Sequence, residues 1–145
     1  MKNRFSVETV TNIDATPAQV WEALTTPALI KKYLMGANVF SDWKVGSTIT
    51  YTGEFQGKKY QDKGVIQKVE PEKILQSTFF SPLSGKEDTP DNYYLVTYIL
   101  SKSDGKTMVT LLQDNISTEK ERVHSIENWK SVLRKLKAVV ESETA

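Results

Sequence analysis

Residues 118–141 read Thr-Glu-Lys-Glu-Arg-Val-His-Ser-Ile-Glu-Asn-Trp-Lys-Ser-Val-Leu-Arg-Lys-Leu-Lys-Ala-Val-Val-Glu. Thr118 followed by Glu121 has the form of a capping box, in which a hydroxyl and a carboxylate satisfy backbone donors reciprocally at a helix start. Ile126, Trp129, Val132, Leu133, Leu136 and Val140 then recur at three- and four-residue spacing, while Lys130, Arg134, Lys135 and Lys137 lie mostly on the other side. A helix over 119–141 runs about 34 Å. A domain of this length has a radius of gyration of roughly 15 Å, so the helix crosses nearly its full width and must pack along a whole sheet.

The sheet is supplied upstream. Phe5, Val7, Thr9, Thr11 and Ile13 fall at every second position, which predicts a strand ending at Asp14. Thr16-Pro17 then opens a helix carrying Val20, Trp21 and Leu24, and Pro27 starts a second short one through Leu29, Ile30 and Tyr33. From Gly46 the period returns to two. Ile49, Tyr51 and Phe55 share one face, a turn follows at Gly57, and further strands are predicted over 60–69 and 74–80. Residues 81–91 are rich in turn formers and read as a mobile loop or a lid. Strands over 93–100 and 107–113 flank Ser103-Asp-Gly-Lys, a hairpin signal. One strand, two short helices, about six antiparallel strands and a long terminal helix make an α+β fold, a curved antiparallel sheet wrapped around the C-terminal helix. Where the sheet curves away from the helix, room is left for a cavity.

Of the 145 residues 39% are hydrophobic and 26% charged, with no cysteine, one histidine and a formal charge of +1. Without cysteine there is no disulfide framework, thiolate metal site or cysteine nucleophile, and one histidine cannot build a multi-histidine metal site. We expect neither metal nor cofactor. Nineteen Lys and Arg against eighteen Asp and Glu also argue against nucleic acid, which needs a concentrated basic surface. The first residues, Met1-Lys-Asn-Arg-Phe-Ser-Val-Glu, lack the apolar run of a signal peptide, and no stretch is apolar enough to span a bilayer. A single cytoplasmic domain over 1–145, monomeric or weakly dimeric and without membrane insertion, is the expectation.

Chemistry-bearing positions follow from parity and helical phase. At 100° per residue, the face bearing Trp129, Leu133, Leu136 and Val140 continues upstream to Ser125 and Arg122, while His124 points away from it. Arg122 and Ser125 either look into the mouth of the cavity, where a helix N-terminus favours an anion, or form a solvated first turn. Asp62 shares parity with Tyr60, Gly64 and Ile66, and a rim position near water is expected for it. Gln113 shares parity with Val109 and Leu111 and could offer a hydrogen bond. Trp21, Phe40, Trp43, Tyr51, Phe55, Phe79, Tyr98 and Trp129 suit an apolar ligand pocket and equally an ordinary core. Tyr94 and Phe80, beside the long loop, are expected to be exposed and to mark a partner surface.

Asp14-Ala-Thr-Pro-Ala-Gln-Val-Trp-Glu-Ala-Leu-Thr, Ser41-Asp-Trp-Lys-Val-Gly, Glu54-Phe-Gln-Gly-Lys-Lys-Tyr, Gly64-Val-Ile-Gln-Lys-Val-Glu-Pro, Ser81-Pro-Leu-Ser-Gly, Thr89-Pro-Asp-Asn-Tyr, Val96-Thr-Tyr-Ile-Leu and Gln113-Asp-Asn follow one another along the chain. This series resembles the START-like (SRPBCC) superfamily, and within it the AHSA-like family, similar to the C-terminal domain of the activator of the heat-shock-protein ATPase. The resemblance covers nearly the whole chain and implies a helix-grip fold. Three functions are implied: binding of a small hydrophobic or amphipathic molecule, interaction with a heat-shock chaperone ATPase, or cyclase or hydratase chemistry on an aromatic, polyketide-like substrate. For the last, Asp62, Gln113 or Arg122 would handle protons. No histidine, nucleophile elbow or phosphate loop singles out a catalytic residue.

Overall fold

A helix end that begins Thr-Pro must satisfy its first amides with side chains, and Thr16 does so in the computed structural model, which describes residues 4–143. Its Oγ1 accepts from Gln19 N at 3.2 Å while Gln19 Oε1 accepts from Thr16 N at 2.9 Å, a complete capping box on α1 (Pro17–Thr25). Pro27 ends that helix and begins α2 (Pro27–Tyr33). Both follow β1 (Phe5–Ile13), and Tyr33 Oη ties α2 to α1 by donating to the Ala23 carbonyl at 2.9 Å within the core.

Six strands follow: β2 (Asn38–Ser41), β3 (Thr48–Phe55), β4 (Lys58–Glu70), β5 (Ile74–Phe79), β6 (Tyr94–Ser103) and β7 (Lys106–Ile116). The short β2 has too few alternating residues for patterning to place it. All pair antiparallel in one sheet of order β1-β7-β6-β5-β4-β3-β2. The β3–β4 and β6–β7 hairpins turn on Gln56-Gly57 and Asp104-Gly105, with positive φ at all four residues, as type I′ turns require.

The terminal helix, α3 (Glu119–Glu143), buries Val132, Leu133, Leu136 and Val140 as its spacing predicts. Its close neighbours are β1, β7, α1 and α2, whereas β3 to β6 stand farther off. Its C-terminal end is fastened to the end of β1: Glu141 Oε2 accepts from Asp14 N at 2.9 Å, and Lys137 Nζ donates to the Asn12 carbonyl at 2.7 Å. The expected helix-grip architecture is therefore the observed one.

The ladder between β4 and β5 is irregular. Their register breaks between Ile66 and Lys68, and Lys63 pairs with Phe80 beyond the break. At Gly64 the two backbones come so close that a Cβ there would stand 1.8 Å from the Thr78 carbonyl oxygen. A side chain cannot be accommodated by a rotamer change because the obstacle is backbone. Gly64→Ala is therefore expected to destabilise the protein by about 3 kcal/mol, the upper end for overpacking. Gly57→Ala, strained only by its positive φ in an open turn, should cost about 1 kcal/mol. Urea titration measures both, and equal stabilities would refute the role given to the Gly64 contact.

Candidate functional site

With α3 drawn to one edge of the sheet, the concave side of β3 to β6 is left without a close-packed cover. A cavity of about 430 Å³ lies there, within the range of small-molecule sites. Leu75, Ser77 and Phe79 line it from β5, Val96 and Tyr98 from β6, and Gln113 from β7. Ser125, Trp129 and Val132 close it from α3, while Leu24, Ile30, Tyr33 and Val39 reach it from α1, α2 and β2. Met35, Phe55 and Leu83 are exposed members of the lining and mark where it opens.

Aromatic contacts order the wall. Tyr51 meets Phe79 edge-on at 5.5 Å, and Tyr98 meets Trp129 at 6.3 Å with the rings at 89°. Gln113 is 3% exposed, and its Oε1 accepts from Trp129 Nε1 at 2.5 Å. This bond satisfies the one polar atom of the indole and fixes the ring across the cavity from β7. Trp43 also lines the cavity, held at a φ of 59° that a bulky side chain seldom adopts. Burial raises the phenols of Tyr33, Tyr51 and Tyr98 above their usual range, so all three present neutral hydroxyls.

Of the candidate positions, Trp43, Tyr51, Phe55, Phe79, Tyr98, Gln113, Ser125 and Trp129 are brought together around the cavity. Three are not. Phe40 is 62% exposed, because on β2 it alternates with the buried Val39 and so faces outward. Trp21 packs against the core from α1 without reaching the cavity. Arg122 is turned aside by a neighbour one helical turn back: its Nε and Nη2 donate to Glu119 Oε2 and Oε1 at 2.8 and 2.6 Å. It is not among the lining residues.

Asp62 requires a correction of a different kind. It lines the cavity, and its Oδ1 is buried without a hydrogen-bond partner, instead of standing at a wet rim. Burial raises its carboxyl above the usual carboxylate range, opposed by a hydrogen bond from Ser81. Tyr60 and Ser77, also in the lining, were overlooked; Ser77 could have been found by parity, since it alternates with Leu75 and Phe79.

The loop after β5 is tied down at several points. Phe80, expected to be exposed, is buried and stacks on Tyr93 at 5.0 Å. Asp88 accepts from Lys63 and from Tyr93, and Asn115 Nδ2 donates to the Asp91 and Tyr93 carbonyls at 2.9 and 2.8 Å. Lys86 Nζ reaches Glu121 Oε1 at 2.7 Å and Ser117 Oγ at 3.1 Å. Tyr94 Oη, likewise not a free surface group, donates to the same Glu121 oxygen at 2.7 Å, and Ser117 donates to the other. Only half of the expected box at Thr118 is formed, Glu121 N donating to Thr118 Oγ1 at 3.1 Å, and the Glu121 carboxylate serves as the hub for the loop.

A curved antiparallel sheet closed by one long helix over an apolar cavity defines the helix-grip class of α+β proteins. Within that class the chain belongs to the AHSA1 family, Activator of Hsp90 ATPase homolog 1-like protein, whose family model matches residues 14–141. It is similar to ChR145 of Cytophaga hutchinsonii, known from a solution structure, with 44% identity, 99% of each chain covered and a TM-score of 0.85. MLL2253 of Mesorhizobium loti is 21% identical, covering 95% of this chain and 98% of its own, with a TM-score of 0.78. The Aha1 dimer of Colwellia psychrerythraea is 22% identical, covering 94% and 96%, with a TM-score of 0.74. These last two show a shared fold alone. No curated protein matches the sequence.

Partial burial works against the charge on Glu121, but the hydrogen bonds from Lys86, Ser117 and Tyr94 outweigh it and hold its carboxyl at about 2, below the ordinary 4.5. A depressed carboxyl contributes stability that is full above the unfolded value and lost as pH falls toward the folded one. The contribution should therefore be constant above about pH 4.5 and disappear between there and about pH 2. Glu121→Gln is expected to lower the Tm at neutral pH and to flatten the pH dependence in that interval, measured by thermal denaturation at a series of pH values.

Proposed function

We propose that residues 1–145 act as one cytoplasmic domain that binds a small hydrophobic or amphipathic molecule between β3 to β6 and α3. The observation that carries this reading is the cavity of about 430 Å³ with a mainly apolar and aromatic lining. Close-packed interiors contain few voids larger than a water molecule. A space of this size forgoes the dispersion contacts of its lining, and an apolar guest restores them. Binding by burial needs no catalytic group.

Naphthalene, which carries no polar head, is a direct probe of the apolar space. It is expected to bind with saturable heat in titration calorimetry and to raise the Tm. Leu75→Trp, which places an indole inside the cavity wall, should weaken that binding about tenfold or more while the protein remains folded. An absence of naphthalene binding to the unaltered protein would remove the cavity reading.

A second reading is supported by the family description and by exposed apolar residues on the far edge of the sheet. Phe40 on β2 and Val45 in the following loop are 62% and 66% exposed and take no part in the cavity. Regulation of a heat-shock chaperone ATPase would use such a surface. In that case the protein changes the turnover of its cognate chaperone, and Phe40→Ser with Val45→Ser abolishes the change while leaving naphthalene binding intact. An unaltered turnover at saturating protein would exclude this role.

A further inference from the structure

The cavity holds one polar atom that nothing in the fold explains. Asp62 stands opposite Tyr51 in the β3–β4 ladder, both in the lining, and Tyr60 lines the cavity two residues along β4. Tyr60 lies across Gly53, where a Cβ would stand 2.5 Å from its hydroxyl oxygen, so the missing side chain lets the ring fold over β3 beside Asp62. Ser81 bonds to the Asp62 carboxyl, yet Oδ1 is buried with no hydrogen-bond partner. A buried acceptor without a partner is costly, and an apolar residue of similar shape would avoid the cost.

The charges around the cavity show what kind of group can relieve this. Its charged lining residues are Glu54, Asp62 and Lys135, of which Glu54 and Lys135 are exposed. Other cations nearby in the chain are engaged elsewhere: Arg122 with Glu119, Lys86 with Glu121, and Lys63 with Asp88. Lys135 is thus the one cation of the lining, and it is exposed, so an anionic head drawn to it would sit toward solvent and leave Asp62 Oδ1 unpaired. A carboxylate would meet Asp62 as a like charge or as an acceptor facing an acceptor, whereas a donor would complete its hydrogen bonding.

We infer that the cavity selects ligands whose apolar body carries a hydrogen-bond-donating head, a hydroxyl or a primary ammonium, seated on Asp62 Oδ1, and that it discriminates against the same body bearing a carboxylate. This rests on the reading of the cavity as a ligand site. Asp62 is thus a specificity-determining residue, and the aromatic wall of Tyr51, Phe79, Tyr98 and Trp129 receives the apolar body. Sites built to hydrogen-bond a particular polar group discriminate strongly against analogues that lack it.

Four probes test the assignment by calorimetry at neutral pH: naphthalene, and naphthol, naphthylmethylamine and naphthoate substituted at one common ring position. At least one donor-bearing probe is expected to bind about tenfold or more tightly than naphthoate. Asp62→Leu should bring that probe to the affinity naphthalene shows for the same variant, so that the advantage of the donor head is lost, and should not lower the Tm, because it removes an unpaired acceptor. Asp62→Asn, which keeps an acceptor without the charge, separates the two heads: it retains naphthol and loses naphthylmethylamine. Naphthoate binding as tightly as both donors, or an unchanged ranking in Asp62→Leu, would overturn the inference. If Asp62→Leu does not fold, the ranking in the unaltered protein decides. Failure of naphthalene itself to bind removes the cavity reading and this inference together, whereas naphthalene binding without any head-group preference removes the inference alone.

Discussion

At Gly64 the backbones of β4 and β5 approach so closely that no side chain fits between them, and both strands line the cavity beside this contact. With a flatter sheet, α3 would lie along all the strands and its apolar stripe would cover the central ones. Instead α3 packs beside β1 and β7 and against the two short helices, while β3 to β6 curve away. Leu133, Leu136 and Val140 are each at most 2% exposed, so the helix is firmly seated despite this offset. Stability and vacancy are thus divided along the same helix. Its C-terminal half supplies most of its share of the core, and the stretch from Ser125 to Lys135 supplies a cavity wall.

The polar groups of that wall fall into two kinds. Gln113 and Trp129 satisfy each other and fix the geometry of an aromatic surface. Asp62 is the opposite case, since the strand pairing that places it opposite Tyr51 leaves one oxygen without a donor. The distinction matters because a satisfied buried pair contributes modestly to stability, whereas an unsatisfied group carries its desolvation cost until something pairs with it. Stability alone gives no reason for a carboxyl at this place.

Much of the architecture was legible because two periods alternate cleanly along the chain. The stripe from Ile126 to Val140, the Thr16-Pro17 helix start and the Asp-Gly hairpin each have a local physical signature, and each lies where that signature put it. The site was only partly legible. Parity separates inward from outward but not cavity from core, so Trp21 and Trp129 look alike until the helix is found offset from the sheet. Nor does parity reveal that Phe40 points outward, because β2 is too short to show a period. For Arg122 helical phase leaves both the cavity mouth and a solvated first turn open, because phase ignores local competition: Glu119, one turn back, pairs with its guanidinium. Glu121 was assigned to the backbone donors of its own helix, and only tertiary structure brings Lys86 and Tyr94 to it.

That long-range cluster also decides how the cavity communicates with solvent. The loop following β5 has the composition of a lid, but its middle is fastened to α3 through Lys86 and Glu121 and to β4 through Asp88 and Lys63, and its C-terminal end is fastened to β7 through Asn115. Glu121 accepts from the side chains of Lys86, Tyr94, Ser117 and Thr118, and releasing the loop would strip this partly buried carboxylate of Lys86, the one cation among them, which is costlier than breaking an exposed ion pair. The exposed rim at Met35 and Phe55 requires no such loss. Phe55 belongs to a tight hairpin and Met35 ends the α2 segment, so both are carried on short connections whose side chains can turn without breaking the ladder. The loop therefore serves as a fixed wall, and passage to the cavity runs past an apolar rim that is already exposed.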